Sequence, residues 1–317
     1  MRALVVDHSA PGHLSLTEIP DPQPKEDEAL VEVRAISLNF GEIQFLLPAA
    51  KDGAVLGWDA AGVVIRAAAN GTGPAVGEHV ITLANDGAWA ERRAVPTNLL
   101  GVVRKGADLG AISTIPVAAA SALRALRRLG PVLGRRVLIV GATGGVGRFA
   151  VQLAAMSGAY VIATASDPAH VDGLRALGAH EVRILPKGRE PREALGPIDP
   201  VFGVLDMIGG PYLVAAYAAL QGGGTLVSIG HTSGAPEVFE FGAFFGTDGR
   251  HDRAIVTFYL LDDVRGMSED LAWLAEQVAN GKLDPQIQWR GGWERVTEGA
   301  ELLLGRRLQG KAVLDVS

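Results

Sequence analysis

The chain has 317 residues, 48% hydrophobic and 20% charged, which is enough for a large core and for two domains of roughly 100–200 residues each. That balance excludes a disordered chain, and 41 Gly and 17 Pro without a triplet period exclude a collagen-like fibre. The net charge is −6, and Arg124, Arg127 and Arg128 have the spacing of a solvated helix face, so neither nucleic acid nor a membrane surface is an expected partner. With no cysteine there is no disulfide, no thiolate metal ligand and no cysteine nucleophile. The seven His are scattered and form no His-Glu-x-x-His pair. The apolar start Ala3–Val6 is too short for a signal peptide, and the uncharged stretch from Phe149 to Ser166 is interrupted by Gln152, Ser157 and Gly158. The expected location is the cytoplasm.

In chain order, the first hundred residues read as β structure. Short apolar strands at Ala3–Val6, Ala29–Ala35, Gly62–Arg66 and His79–Leu83 alternate with Gly/Pro turns, as in a barrel-like unit. Near Ala111 the character changes. Ala118–Leu129 is helical and stops at Gly130-Pro131. Then strands and helices alternate: strand Val137–Val140, helix Val146–Ser157, strand Val161–Thr164, helix Pro168–Leu177. Further strands follow at Val182–Leu185, Val201–Met207, Thr225–Ile229 and Ala254–Tyr259. Such alternation predicts a parallel sheet with right-handed crossovers. A final helix is expected after Ser268, with Glu269 and Asp270 in its first turn and Gly281 past its end. The tail from Gly310 to Val316 reads as a strand able to return to the first unit.

The strongest motif is the turn Gly141-Ala-Thr143-Gly144-Gly145-Val146-Gly147, between a buried strand and a helix. Bare glycines let the backbone approach a pyrophosphate, and the helix N-terminus offers unpaired N–H groups and a positive dipole end. The alternative is a tight turn that binds nothing. Strand, glycines, helix and second strand in succession favour the dinucleotide. The second strand ends in Ala163-Thr164-Ala165-Ser166, without the carboxylate that grips the ribose of NAD. A small hydroxyl residue there leaves room for a 2′-phosphate and favours NADP(H), with His170 the nearest cationic candidate; NAD(H) stays open. Asp167 before Pro168 reads as a helix cap.

The chain resembles the medium-chain dehydrogenase/reductase superfamily, and more closely its zinc-independent quinone oxidoreductase-like branch. The matching pieces are Arg34–Phe40, Gly57-Trp58-Asp59-Ala-Ala-Gly62, Ile115-Pro116-Val117, Ser121–Leu126, the glycine turn, Leu205-Asp206-Met-Ile-Gly209-Gly210, Gly223–Gly230 and Gly310-Lys311-Ala-Val-Leu. The resemblance implies an α/β fold: a GroES-like β-barrel domain plus a Rossmann domain with a doubly wound parallel sheet. The first domain is expected at residues 1–120, completed by 265–317, and the second at 121–264. It also implies a homodimer paired along the last Rossmann strand, near Ala254–Tyr259. Where zinc-dependent relatives carry Cys and His, this chain has Asn39 and Trp58, and the third ligand maps near Pro116. No metal is expected, because these residues cannot rebuild a tetrahedral N/S site. Cofactor contacts carried over by motif fall on Asn39, Gln44, Gly141, Thr143 to Gly147, Ser166, Ile229, Gly230, His231 and Phe258. His170 and Leu185 replace the branch's usual Lys and Tyr or His, which help grip NADPH.

The implied activity is hydride transfer from NADP(H) to a quinone or an α,β-unsaturated carbonyl, with a small molecule as the partner. Three residues are catalytic candidates. Asn39 orients substrate or nicotinamide ribose, or is a turn residue. Ser121 donates to the substrate oxygen, or bonds its own helix backbone. Tyr259 is the proton donor, or merely ends a strand. Trp58 reads as a pocket wall and Asp59 as a structural hydrogen-bonding group. The alternatives are a pathway-specific enoyl reductase, a redox-neutral biosynthetic enzyme, or a nucleotide-binding protein without turnover.

Overall fold

Aliphatic and β-branched runs form strands in chain order: β1 (Arg2–Val6), β2 (Leu14–Glu18), β3 (Glu28–Leu38), β4 (Asp59–Arg66), β5 (His79–Leu83), β6 (Arg92–Pro96) and β7 (Leu100–Val103). Helices α1 (Leu109–Ser113) and α2 (Ile115–Arg128) follow. Then come β8 (Arg136–Val140), α3 (Gly145–Met156), β9 (Tyr160–Ala165), α4 (Val171–Ala176), β10 (Glu181–Ile184), α5 (Pro191–Leu195), β11 (Val201–Asp206), α6 (Pro211–Ala218), β12 (Leu220–Ser228) and β13 (Ala254–Thr257). The chain closes with α7 (Met267–Ala279), β14 (Ile287–Gly292), α8 (Val296–Leu304) and β15 (Lys311–Asp315). This computed structural model describes residues 1–246 and 249–316; Thr247, Asp248 and Ser317 lie outside the described residues.

Two compact units partition the chain: Met1–Ala120 with Leu261–Ser317, and Ser121–Leu260. The first unit holds a seven-stranded sheet in the order β14-β15-β3-β4-β5-β7, with β6 also paired to β3, and a separate β1-β2 hairpin. The C-terminal strand returns as its sequence suggests. β15 pairs antiparallel with β3, placing Ala312 opposite Leu38 and Asp315 opposite Ala35. Leu4, Val33, Ile36, Leu38, Trp89, Trp293 and Leu314 share one core. Each such side chain contributes about 1.5–3 kcal/mol by burial.

The second unit is a six-stranded sheet in the order β10-β9-β8-β11-β12-β13. Every neighbouring pair is parallel. Counted from β8, this is the doubly wound 3-2-1-4-5-6 order, whose switch point lies between β8 and β11. Leu138, Val140, Ile162, Val204, Leu213, Tyr217 and Leu226 are buried together.

Several elements, among them β2, β6, β7, β14, α1, α5 and α6, are absent from the sequence reading, and others differ from it. The helix expected after Ser268 begins at Met267, capped by Gly266 at φ +66°, and the Ser268 hydroxyl instead donates to the Leu100 carbonyl. Nor is it the last helix, because α8 follows. Gly299 weakens the helical signal of α8. In the fold, a Cβ at Gly299 would lie 3.0 Å from the Trp289 ring and 3.2 Å from Leu38, so tertiary packing favours the glycine. Finally, β13 stops at Thr257 rather than reaching Tyr259. Phe258 still donates its N–H to the Ser228 carbonyl, and the chain then leaves the sheet.

Candidate functional site

The strand registers align one edge of the second unit. Val140 lies beside Asp206, Asp206 beside Ser228, and Ser228 beside Thr257. The residues that follow, namely Gly141, Met207, Ile229 and Phe258, therefore share the carboxyl edge of the sheet, where open α/β folds bind ligands. Gly141 turns the chain at φ +84°, a conformation that favours glycine. A Cβ at Gly147 would sit 2.2 Å from the Gly141 carbonyl oxygen, so only glycine lets α3 start this close to β8. A Cβ at Gly144 meets nothing nearer than 3.7 Å; its bareness keeps the approach to the helix N-terminus open. The turn is braced from below, as Thr164 Oγ1 accepts the Gly141 N–H at 3.0 Å and Arg148 Nε donates to the Thr143 carbonyl at 3.3 Å. The first-turn N–H groups of α3 have no partner within the helix, which makes this end a place for anionic phosphate.

Ser166 is exposed just past β9. Asp167 caps the short turn Pro168–His170 by accepting the Ala169 N–H at 2.8 Å, the role its position before Pro168 suggests. His170 closes that turn with its ring Nδ1 buried and without a hydrogen-bond partner among the described residues. Leu185 is buried in the core and ties its N–H to the Ala165 carbonyl, so it presents no polar group.

Past β11, Asp206 folds the loop back on itself. Its carboxylate accepts the Ile208 and Gly209 N–H groups at 3.1 and 3.0 Å, while its carbonyl accepts the Ile229 and Gly230 N–H groups. Burial pushes the Asp206 carboxyl up to about 6 against the pull of those two N–H groups. His231 is held on both nitrogens, by Glu237 at 3.1 Å and the Ala235 carbonyl at 2.8 Å. Tyr259 is 63% exposed. Ser121 is buried on α2.

The first unit contains a buried charged cluster at the end of β3. Asn39 Nδ2 donates to Glu42 Oε2 and Asp59 Oδ2, both at 2.8 Å. Lys311 Nζ donates to Asn39 Oδ1 at 2.6 Å and to the Leu38 carbonyl at 3.2 Å, and lies 3.5 Å from Asp59. Asp59 also accepts from the Ser37 hydroxyl at 2.7 Å and the Val117 N–H at 2.9 Å. Glu42 accepts the backbone N–H groups of Asn39 and Trp58 at 2.9 and 2.6 Å. Burial, then the charge of Asp59, pushes the Glu42 carboxyl up to about 8, opposed by the Asn39 amide, the Trp58 N–H and Lys311. Arg93 lies behind Trp58, donating to the carbonyls of Gly57, Trp58 and Asp86, and burial pushes its guanidinium down to about 10. Gln44 is exposed on the same segment as Asn39, and Trp58 packs across Gly41.

Known families place this arrangement. The alcohol dehydrogenase GroES-like domain matches residues 25–125, and the zinc-binding dehydrogenase domain matches residues 145–275. Acryloyl-coenzyme A reductase of Metallosphaera sedula is 25% identical over 99% of this chain and 99% of its own. The quinone oxidoreductase of Coxiella burnetii superposes with a TM-score of 0.83 at 25% identity, covering 100% of this chain and 99% of that one. The chain belongs to the medium-chain dehydrogenase/reductase superfamily, in its quinone oxidoreductase-like branch. It is an oxidoreductase of that superfamily. A mycobacterial member complexed with NADPH has a TM-score of 0.84 at 25% identity, covering 99% of this chain and 100% of that one.

Membership makes a zinc fit worth testing. The positions that matter are Asn39, whose amide is engaged by Glu42, Asp59 and Lys311; Trp58, an indole with no lone pair for a metal; and Pro116, with no donor side chain. Among the described residues no group of three or more His, Cys, Asp or Glu is placed to hold a metal ion. This donor set does not fit zinc. A nicotinamide dinucleotide does fit, since Gly141, Gly144 and Gly147 build the turn it requires. No helix among the described residues is long and apolar enough to cross a membrane.

Sequence reasoning missed the cluster around Asn39. Glu42 sits three residues past Asn39, an ordinary helical spacing that carries no signal of burial. A lysine inside an apolar strand, as Lys311 is, carries a usable sign in the sequence that its charge is paired.

Proposed function

We propose that this protein is a zinc-independent, NADP(H)-dependent reductase that delivers hydride to an α,β-unsaturated carbonyl or a quinone. The observation that carries the reading is the glycine turn at the α3 N-terminus, set at the carboxyl edge of a 3-2-1-4-5-6 sheet. The names of the Metallosphaera sedula reductase and the Coxiella burnetii quinone oxidoreductase support the substrate class. The mycobacterial complex supports the cofactor.

When bound, the reduced nicotinamide supplies the hydride. The chain's own residues bind and orient. Gly141, Thr143, Gly144, Gly145, Val146 and Gly147 receive the pyrophosphate on backbone N–H groups. Ser166 leaves space for a 2′-phosphate, and His170 offers a ring nitrogen beside it. Ile229, Gly230, His231 and Phe258 flank the nicotinamide end. Asn39 and Gln44 contact the cofactor. Ser121 donates a hydrogen bond to the substrate oxygen as negative charge develops there. Tyr259 or solvent returns the proton.

A homodimer completes the proposal. β13 is an edge strand, and Phe241, Phe244, Phe245 and Tyr259 near it are 98%, 63%, 67% and 63% exposed. Light scattering gives its mass directly.

The deciding experiment is thermal melting with NADPH, NADH and no nucleotide, followed by turnover with quinones, enones and an enoyl thioester. Selective stabilisation by NADPH and turnover of any of these substrates is the expected result. Absence of any shift with either nucleotide at millimolar concentration overturns the reading. A shift without turnover of any substrate returns the nucleotide-binding alternative.

A further inference from the structure

The Asn39 side chain has two N–H donors and two lone pairs on Oδ1. Three of these four capacities are used inside the first unit. Both donors go to carboxylates, Glu42 and Asp59, at 2.8 Å, and one lone pair takes the Lys311 ammonium at 2.6 Å. The chemistry fixes the orientation. Both Glu42 oxygens already accept backbone N–H groups, the Asp59 oxygen accepts the Ser37 hydroxyl, and an ammonium only donates. The flipped amide would face its carbonyl to these accepting oxygens and its NH2 to a cation.

The holders are themselves held. Glu42 is fully buried and clamped by the backbone N–H groups of Asn39 and Trp58. Asp59 is fully buried on β4, with Ser37 and Val117 as further donors. Lys311 is 3% exposed, and its remaining bonds go to the Leu38 carbonyl and Asp59. The charges of Asp59, Asp86 and Glu42 also act on the buried guanidinium of Arg93, against the effect of its burial. Such a network is worth more for orientation than for net stability.

We propose that Glu42, Asp59 and Lys311 are positioning residues that lock Asn39 as a hydrogen-bond acceptor toward ligand. Asn39 then takes a hydroxyl or N–H from the bound nucleotide on the free Oδ1 lone pair, and it does not donate to a substrate carbonyl. Donation to the substrate oxygen has to come from another group, such as the Ser121 hydroxyl. The inference rests on the proposed function for one point only, that Asn39 touches the cofactor.

Two measurements test it. The first is exchange of the Asn39 side-chain amide protons in the wild-type protein by nitrogen-15 NMR, with the resonances assigned by their loss in Asn39→Ala. The lock predicts slow exchange without ligand and no new partner for these protons when NADPH is added. Rapid exchange in the free protein, or protons that shift to a new acceptor with NADPH, overturns the lock.

The second is NADPH affinity of Asn39→Asp and Asn39→Ala against pH, with melting curves to check folding. The aspartate keeps Oδ1, and its other oxygen faces two carboxylates and therefore binds a proton. Asn39→Asp is expected to bind like wild type near pH 6 and to weaken as pH rises. Asn39→Ala is expected to lose about tenfold at every pH, as for one hydrogen bond. Equal loss in both variants at every pH means that donation matters and overturns the proposal. Unchanged affinity in Asn39→Ala instead removes Asn39 from the cofactor contacts, while the exchange data still decide the lock.

Discussion

The Lys311 ammonium donates to the Asn39 side-chain oxygen at 2.6 Å across 272 residues of sequence. The pairing exists because β15 lies antiparallel to β3, with Ala312 opposite Leu38, so Lys311 falls beside the end of β3. One lysine thereby places a positive charge beside two buried carboxyl groups.

Removing that lysine has a defined cost. Lys311→Met leaves Asp59 buried without its ammonium and is expected to destabilise the protein by about 3–5 kcal/mol. Adding Asp59→Asn to Lys311→Met is expected to recover part of that loss, because the uncompensated charge is gone. A double-mutant cycle in urea measures the coupling. Simple additivity of the two changes would mean that the pair is not coupled.

The glycine turn makes a sharper contrast. Gly147→Ala forces a Cβ to within 2.2 Å of the Gly141 carbonyl. It should cost about 1–3 kcal/mol or more and abolish the NADPH-induced rise in melting temperature. Gly144→Ala has open space around its Cβ, so it should melt within about 0.5 kcal/mol of wild type, yet still lose NADPH stabilisation. Melting curves with and without NADPH separate the two. A Gly147→Ala protein that melts and binds like wild type refutes the steric argument.

Asp206 predicts a pH dependence. Its carboxyl is raised to about 6 from an ordinary 3.8, so between those values the folded state holds a proton that the unfolded state has released. Stability from this group therefore falls as pH rises from about 4 to about 6, by on the order of 3 kcal/mol, and is flat above and below. Asp206→Asn should remove that slope. Urea midpoints of both proteins across this window provide the test, and parallel curves would contradict the assignment.

Ser121 tests the oxyanion role. Ser121→Ala should lower kcat by roughly 10²-fold, as for loss of one donor to developing charge, with KM for NADPH little changed. Steady-state kinetics on the best enone or quinone found in the screen measures it. Unchanged kcat would remove Ser121 from the chemistry.

Much of this protein is written locally. The glycine turn, the strand–helix alternation from Val137 onward, the cap at Asp167 and the strand character of the tail are all set by short-range rules of φ, periodicity and turn chemistry. Those rules act within a few residues, so one sequence suffices to read them. They failed at α8, where Gly299 masks a helix that Trp289 and Leu38 pack against. They failed too at Tyr259, where the sheet ends before the apolar run does.

The state of Asn39 was decided only by the tertiary structure. Its segment, Asp59 on β4 and Lys311 on β15 are distant in sequence, and hydrogen-bonding capacity is used up only when they meet. Sequence by itself determined which residue type stands at position 39. The pairing of β3 with β4 and β15 determined which of its hydrogen-bonding groups are already engaged, because a buried amide must satisfy the charges packed around it.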